Sequence, residues 1–156
     1  MLDKSKFKQI LSELGINQNE LLLVNSNMLN ILIRNKKFID AEKIIDALTE
    51  TVTDNGTVMF PAYNWNFCKG KNFDLKTTKS YTGALSNLSL SRKDFQRSIN
   101  PIYSFSIFGK NREYIASLKH ESCFNLDSPH KGGDLLKRSI KLLLLEIKKK
   151  KLNLNE

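Results

Sequence analysis

Apolar residues three and four apart open the chain: Phe7, Ile10, Leu11 and Leu14 predict one face of a helix over residues 4–14, with Asp3 placed to cap it and Gly15 to end it. The period then changes. Leu21-Leu22-Leu23-Val24 is a short continuous apolar run, which predicts a buried strand over 20–24 leading into the polar group Asn25-Ser26-Asn27. Asp40 is placed to cap a second helix through Val52, with Ile44, Ile45, Leu48 and Val52 on one face. Asp54-Asn55-Gly56 supplies a turn into a strand over 57–60 that Pro61 stops. Residues 64–79 have no consistent period and hold Gly70, Asn72, Asp74 and several threonines, which predicts a long loop of the kind that carries function in a compact domain. Downstream, the pattern predicts a helix over 83–90 capped by Thr82, a strand over 105–108 and a helix from the Asn111 cap to about Leu118. A short helix over 128–138 and a continuous apolar strand over 140–145 complete it.

Strands alternating with helices predict an α/β fold, a three-layer α/β/α sandwich with helices on both faces of the sheet. Composition is that of one globular domain, and no apolar run approaches the roughly 20 residues that span a bilayer. With no signal-like apolar segment after Met1, the expected location is cytoplasmic, with no membrane partner. Cys68 and Cys123 are far apart and fit no metal spacing, so a reduced pair with no metal is expected.

The net charge of +9 would suggest a nucleic-acid partner, but five of the nine charges fall from Lys137 onward, ending in Lys148-Lys149-Lys150-Lys151. The rest carries +4 and has none of the spacings of nucleic-acid motifs, which argues against such a surface. The domain is therefore expected over residues 1–146, followed by a lysine-rich tail over 147–156.

Three spaced motifs carry the chemistry: Pro61-Ala62-Tyr63-Asn64-Trp65, then Tyr81-Thr82-Gly83-Ala84-Leu85-Ser86, then Arg97-Ser98 with Pro101 and Ser104-Phe105. In this order they resemble the antibiotic N-acetyltransferases, the aminoglycoside 3-N-acetyltransferase family. The resemblance runs from about Asn19 to Leu145 and implies transfer of an acetyl group from acetyl-CoA, the co-substrate, to an amino group of an aminoglycoside or related amino sugar. In the family the first strand ends in Val-His-Ser-Ser-Leu, matched in part here by Val24-Asn25-Ser26-Asn27-Met28.

The cofactor-binding residues so implied are Ser26, Asn27, Arg97, Ser98, Ser104 and Phe105, with Arg97-Ser98 as the phosphate contact because a guanidinium binds phosphate in a bidentate fork. The implied substrate-binding residues are Tyr63, Trp65, Asp74 and Thr82. Aromatic faces suit a sugar or a cation, and the helix start after Thr82 suits an anion or a developing oxyanion. Each motif also has a plain structural role open to it. Thr82 is equally a simple cap, Ser26 and Asn27 equally turn residues, and Trp65 equally a core residue.

No catalytic base is assigned. The family's candidate is a His closely followed by Glu beyond a Leu-Leu-Leu-Gly strand, and here Leu142 to Leu145 run into Glu146 and lysines. Family members also carry histidines at the positions of Asn100 and Tyr103. His120 and His130 have no carboxylate at helical spacing and are expected to be surface residues. Aminoglycosides are polycations that need carboxylates, and Asp74 and Asp127 are the candidates a mildly basic body offers. These departures lead to the expectation of a chain truncated at its C-terminus, with an incomplete sheet, weak or no turnover, and self-association through exposed strand edge. The alternatives are a non-catalytic fragment, from a frameshift or a split gene, that pairs with a complementing polypeptide, and a basic nucleic-acid-binding module.

Overall fold

The short apolar runs form strands and the three-and-four patterns form helices in a computed structural model that describes residues 3–28, 40–118 and 140–145. The expectations for His120, Cys123, Asp127, His130, the 128–138 helix and the 147–156 tail lie outside the described residues. Helix α1 (Lys4–Glu13) ends as predicted at Gly15, which has φ +74°. The Ile16 N–H reaches back to the Leu11 carbonyl and the Gly15 N–H to Ser12, both at 2.9 Å. This double closure satisfies carbonyls left open by the helix and seats Ile16 and Leu11 in one core cluster. Asp3 holds the N-cap position, but its carboxylate accepts from the Ser5 hydroxyl at 2.5 Å and caps no helix N–H.

Strand β1 (Leu21–Ser26) extends two residues past the predicted run, into the polar group. Helix α2 (Ala41–Val52) starts at Asp40, whose carboxylate accepts from the Glu42 N–H at 3.1 Å, and ends where the period predicted. Strand β2 (Thr57–Pro61) is buried along its whole length, which accounts for its lack of apolar–polar alternation. The predicted loop contains one short 3₁₀ turn at Phe67–Lys69. Helix α3 (Ala84–Ser91) follows, then the two-residue strand β3 (Gln96–Arg97), which has no apolar run to announce it. Strand β4 (Phe105–Gly109), helix α4 (Arg112–Ser117) and strand β5 (Ile140–Leu145) lie within a residue or so of the predicted bounds.

The five strands form one sheet in the order β3-β4-β2-β1-β5. β1 is parallel to both β2 and β5, with Leu21 opposite Thr57 and Ile140. β4 runs antiparallel to β2 and to β3, with Pro61 opposite Phe105. Side chains alternate across the sheet and so serve two cores. Leu22, Val24, Val58 and Phe60 pack with Leu11, Ile45, Leu48 and Leu85 of α1, α2 and α3 on one face. Leu21, Met59, Phe105 and Ile107 pack with Ile115 and Ala116 of α4 on the other. The three-layer α/β/α arrangement predicted from the alternation is thus present, each fully buried large aliphatic side chain contributing about 1.5–3 kcal/mol.

Two glycines let the backbone close at the base of the sheet. Gly109 has φ +93°, and a Cβ there would run into the carbonyl of Gly56. A Cβ on Gly56 would lie 2.5 Å from the Val52 carbonyl oxygen, so the turn from α2 into β2 passes too close for any side chain.

Candidate functional site

Because β1 and β2 are parallel and β4 is antiparallel to them, the ends of β1 and β2 and the start of β4 meet at one edge of the sheet. That edge gathers Ser26 at the end of β1 and Asn27 after it, Ala62 after β2 and Ser104 before β4. The start of α3 joins them: Gly83, at φ +123°, is close enough to β1 that a Cβ on it would sit 3.7 Å from the Ser26 carbonyl oxygen. Open parallel α/β sheets bind ligands at this kind of edge, outside the carboxyl ends of the strands. Ser26 is half-buried and Asn27 exposed.

Thr82 does not cap α3, contrary to expectation. Gly83 holds the N-cap position, and among the described residues no side-chain cap bond closes the first turn of this eight-residue helix. The Thr82 hydroxyl is drawn instead to tertiary partners, the Pro61 carbonyl, Ser80 Oγ at 2.5 Å and Ser86 Oγ at 3.3 Å. The capping preference loses to a fixed carbonyl at the end of β2.

Arg97, Ser98, Ser104 and Phe105 are brought together as expected but point into the fold. Arg97 is 8% exposed, and Nε donates to Ser104 Oγ at 3.0 Å, Nη2 to the Ala62 carbonyl at 3.0 Å and Nη1 to the Thr78 carbonyl. Its guanidinium also covers the Phe73 ring at 4.7 Å. Burial pulls its pKa below the ordinary value, an effect the Asp74 charge opposes. Ser104 Oγ donates to the Ala62 carbonyl at 2.7 Å, Ser98 Oγ accepts from the Phe105 N–H at 2.9 Å, and the Phe105 ring lies in the core beneath α4. In this structure the polar atoms of the phosphate candidate Arg97-Ser98 bind segments of their own chain. No residue pattern distinguishes a guanidinium that meets carbonyls from one that meets phosphate.

The long loop is closed at its stem. The Tyr81 N–H donates to the Tyr63 carbonyl at 2.8 Å, and Asn64, buried, donates from Nδ2 to the Lys79 carbonyl at 2.7 Å and accepts from the Asn66 N–H at 2.8 Å. Asn87 of α3 binds both the N–H and carbonyl of Ser80, at 2.8 and 2.9 Å. Sequence inspection gave Asn64 and Asn87 no role, since an asparagine that ties a loop looks like one that merely bounds it. Asp74 is exposed on the loop, and one carboxylate oxygen accepts from the Lys76 N–H, the Thr77 N–H and Thr77 Oγ1 at 2.7–2.9 Å. These bonds, the Thr77 backbone first, hold its pKa below the ordinary carboxylate value. It closes a turn of its own loop.

Aromatic residues pave the surface of this stem. Tyr63 makes edge contacts with Tyr103, Phe105 and Trp65 at centroid distances of 5.2, 5.7 and 6.5 Å. Burial, helped by the neighbouring Tyr103, pushes the Tyr63 phenol well above its ordinary value, so it stays neutral. Trp65 and Tyr81 stack with ring planes 3° apart and centroids 6.1 Å apart, and both are exposed, at 43% and 58%. The alternative that placed Trp65 in the core is corrected by that exposure. The sequence around Tyr81 gives no sign of this stacking partner, which lies 16 residues away.

The segments that build the edge, residues 25–28, 61–66, 80–86 and 97–105, contain no Asp, Glu or His. Among the described residues no group of His, Cys, Asp and Glu could hold a metal ion, and no helix is long and apolar enough to cross a membrane. An open depression of about 570 Å³ lies at the other end of the sheet, between Lys8 and Ser12 of α1, residues 16–18 and Glu50 of α2. It has none of the motif residues and a lining typical of ordinary surface.

The family model described as aminoglycoside 3-N-acetyltransferase matches residues 23–152. No curated protein matches the chain. Among solved structures, the chain is similar to the YokD protein of Bacillus subtilis, with TM-score 0.77 and 23% identity over 91% of this chain and 64% of that one. It is similar to AAC-VIa bound to sisomicin, with TM-score 0.72 and 16% identity over 91% of this chain and 58% of that one. It is similar also to AAC-IIIb in a binary complex with CoASH, with TM-score 0.61 and 19% identity over 74% and 48%. At these identities the likeness is one of fold, and the chain spans about half to two thirds of the length of these structures.

Proposed function

The chain belongs to the aminoglycoside 3-N-acetyltransferase family, and on that premise we propose that its sheet edge binds acetyl-CoA and directs the acetyl group to an amino group of an amino sugar. The observation that carries this is the approach of the β1 end to the start of α3, close enough that a Cβ on Gly83 would lie 3.7 Å from the Ser26 carbonyl oxygen. A CoA-bound structure, that of AAC-IIIb, is among those of the same fold.

The chemistry asks for modest help from the protein. An amine nitrogen attacks the thioester carbonyl, the C–N bond forms, the C–S bond breaks, and the ammonium proton leaves as the thiol is protonated. Charge develops on the carbonyl oxygen, and the first N–H groups of α3, with the helix dipole behind them, are suited to stabilise it. Ser26 and Asn27, beside that helix start, are the residues we assign to the pantetheine arm. Arg97, Ser98, Ser104 and Phe105 are assigned a positioning role, holding the end of β2 and the loop stem against each other. Tyr63, Trp65 and Thr82 line the acceptor side through the aromatic surface and the β2–α3 junction, while Asp74 is proposed to shape the loop. With no histidine or carboxylate in the edge segments, we assign the proton acceptor to no described residue.

Release of CoA thiol, followed with a thiol reagent while the chain is offered acetyl-CoA and a panel of amino sugars, tests this reading. The expected result is acceptor-dependent thiol release that falls when Gly83 is replaced by Val, which crowds the Ser26 carbonyl. Acetyl-CoA protection from thermal unfolding provides a second readout if turnover is slow. Neither release nor protection in a folded chain would overturn the proposal.

A further inference from the structure

The surface beside the proposed acetyl site has an electrostatic character opposite to what a polycationic antibiotic requires. The loop between Tyr63 and Tyr81 carries Lys69, Lys71, Lys76 and Lys79 against the single acid Asp74. Among the described residues none of the four lysines makes an ion pair. The Asp74 carboxylate is engaged by the Lys76 and Thr77 backbone and the Thr77 hydroxyl. At the stem below, Arg97 is a buried cation with no ion-pair partner among the described residues, its donors meeting only carbonyls and a hydroxyl. Four loop lysines and Arg97 against the one acid Asp74 give this surface an excess of positive charge, which disfavours cations and draws anions.

The same loop presents the Trp65–Tyr81 stack, exposed and held at both ends: the Tyr81 N–H is bonded to the Tyr63 carbonyl, and Asn64, next to Trp65, grips the Lys79 carbonyl. Backbone bonds also tie the lysines to this stem. The Lys69 and Lys71 N–H groups both reach the Asn66 carbonyl, one residue past Trp65, and Lys79 lies two residues before Tyr81. A rigid, exposed aromatic pair flanked by unpaired cations matches a ligand with a planar base and phosphates.

We propose that the Trp65–Tyr81 stack and the lysines of its loop form a platform for a nucleoside diphosphate, the base lying on the aromatic pair and the phosphates toward the lysines. This goes beyond the acetyltransferase reading and rests on it only for the source of the nucleotide. One source is the nucleotide end of acetyl-CoA itself. The other is an acceptor in which the amino sugar is linked to a nucleoside diphosphate, an anionic substrate in place of a polycation.

Trp65 is the one tryptophan of the chain, so its fluorescence reports directly on stacking. The full chain is titrated with ADP, with a uridine-diphosphate-linked amino sugar, with adenosine and with inorganic diphosphate. The expected result is saturable quenching by one or both nucleotides and much weaker effects from the base or the diphosphate alone. Preference for ADP, shared with CoA, assigns the platform to the acetyl donor, and preference for the uridine compound assigns it to the acceptor. Tyr81→Ala should weaken nucleotide binding about tenfold, in line with the loss of one stacking contact. Joint replacement of Lys69, Lys71, Lys76 and Lys79 by Gln should abolish the advantage of a nucleotide over adenosine, with the fold checked by circular dichroism.

No quenching by any nucleotide in a folded chain would overturn the proposal, as would quenching unchanged in the Tyr81→Ala and Lys→Gln variants, or tighter binding of an aminoglycoside than of any nucleotide. S-acetylpantetheine, which lacks the nucleotide, separates the two readings. Acetyl transfer from it without nucleotide quenching of Trp65 sinks the platform and leaves the acetyltransferase reading intact. Nucleotide quenching with no acetyl transfer to any amine sustains the platform and removes that reading.

Discussion

Replacing Arg97 by Met should destabilise the chain by about 2–4 kcal/mol and open the 64–79 loop before the rest of the fold. The guanidinium makes three hydrogen bonds from a side chain 8% exposed, to Ser104 Oγ, to Ala62 and to Thr78. Hydrogen bonds to a charged group contribute about 1.5–3 kcal/mol each, but the three losses are unequal. Ala62 keeps the Ser104 hydroxyl at 2.7 Å, and Ser104 keeps Ala62 as its acceptor. The Thr78 carbonyl loses its guanidinium donor, at a cost of about 1–3 kcal/mol if it stays buried. Against this, a methionine relieves the desolvation of an unpaired cation, which holds the net effect below the sum of three bonds. Arg97→Lys should recover only part, because an ammonium cannot match a planar fork spread over three segments.

Urea unfolding followed by circular dichroism gives the global cost, and trypsin gives the local one, since Lys71 and Lys76 lie in the loop that Thr78 anchors. Faster cleavage there in Arg97→Met, under conditions where the remainder resists, is the expected pattern. A change below about 0.5 kcal/mol with unaltered loop cleavage would refute the assignment of Arg97 as an internal clamp and return it to the phosphate role.

Gly109→Ala should destabilise by about 2 kcal/mol or more in urea unfolding, because φ is +93° and the added Cβ meets the Gly56 carbonyl. Gly83→Ala brings only an ordinary contact, with Ser26 O at 3.7 Å, so the backbone cost of about 1–3 kcal/mol should dominate, again read from urea midpoints. The Arg92 cluster joins Glu42 and Asp46 of α2 to Asp94 at 2.7–3.0 Å, and the Arg92 hydrogen bond holds the Asp94 pKa below its ordinary value. A depressed carboxylate contributes stability that is present above its unfolded pKa and lost as pH falls through the lower folded one. Thermal melts should therefore show a fall in Tm below about pH 4 that is shallower in Arg92→Ala, and at neutral pH the Arg92→Ala cost should shrink in high salt because the acids are partly exposed.

What was legible in the sequence follows from how each element is stabilised. β1, β2 and β5 are short, largely apolar runs, and α1 and α2 carry an apolar face at helical spacing, so their own residues announce them. β3 has no such signature: two residues, Gln96 and Arg97, are strand only because β4 lies beside them. The three motifs correctly marked the segments that meet at the sheet edge. Local rules misjudged the direction of their side chains, because the partners of Thr82, Arg97 and Ser98 are a carbonyl, two carbonyls with a hydroxyl, and a backbone N–H supplied by distant residues. The Asp74 carboxylate, a candidate for substrate by its charge, is engaged by the Lys76 and Thr77 N–H groups and the Thr77 hydroxyl, partners that charge alone does not announce. The Trp65–Tyr81 stack joins residues 16 apart and becomes visible only once the loop is closed.

Calorimetric titration of the chain with acetyl-CoA tests the central claim most directly, since it measures the sheet-edge site without requiring turnover. Saturable, near one-to-one binding that weakens when Gly83 is replaced by Val and survives Arg92→Ala is the expected result. Absence of any binding heat at several temperatures, from a chain whose circular dichroism and cooperative unfolding show it folded, would contradict it.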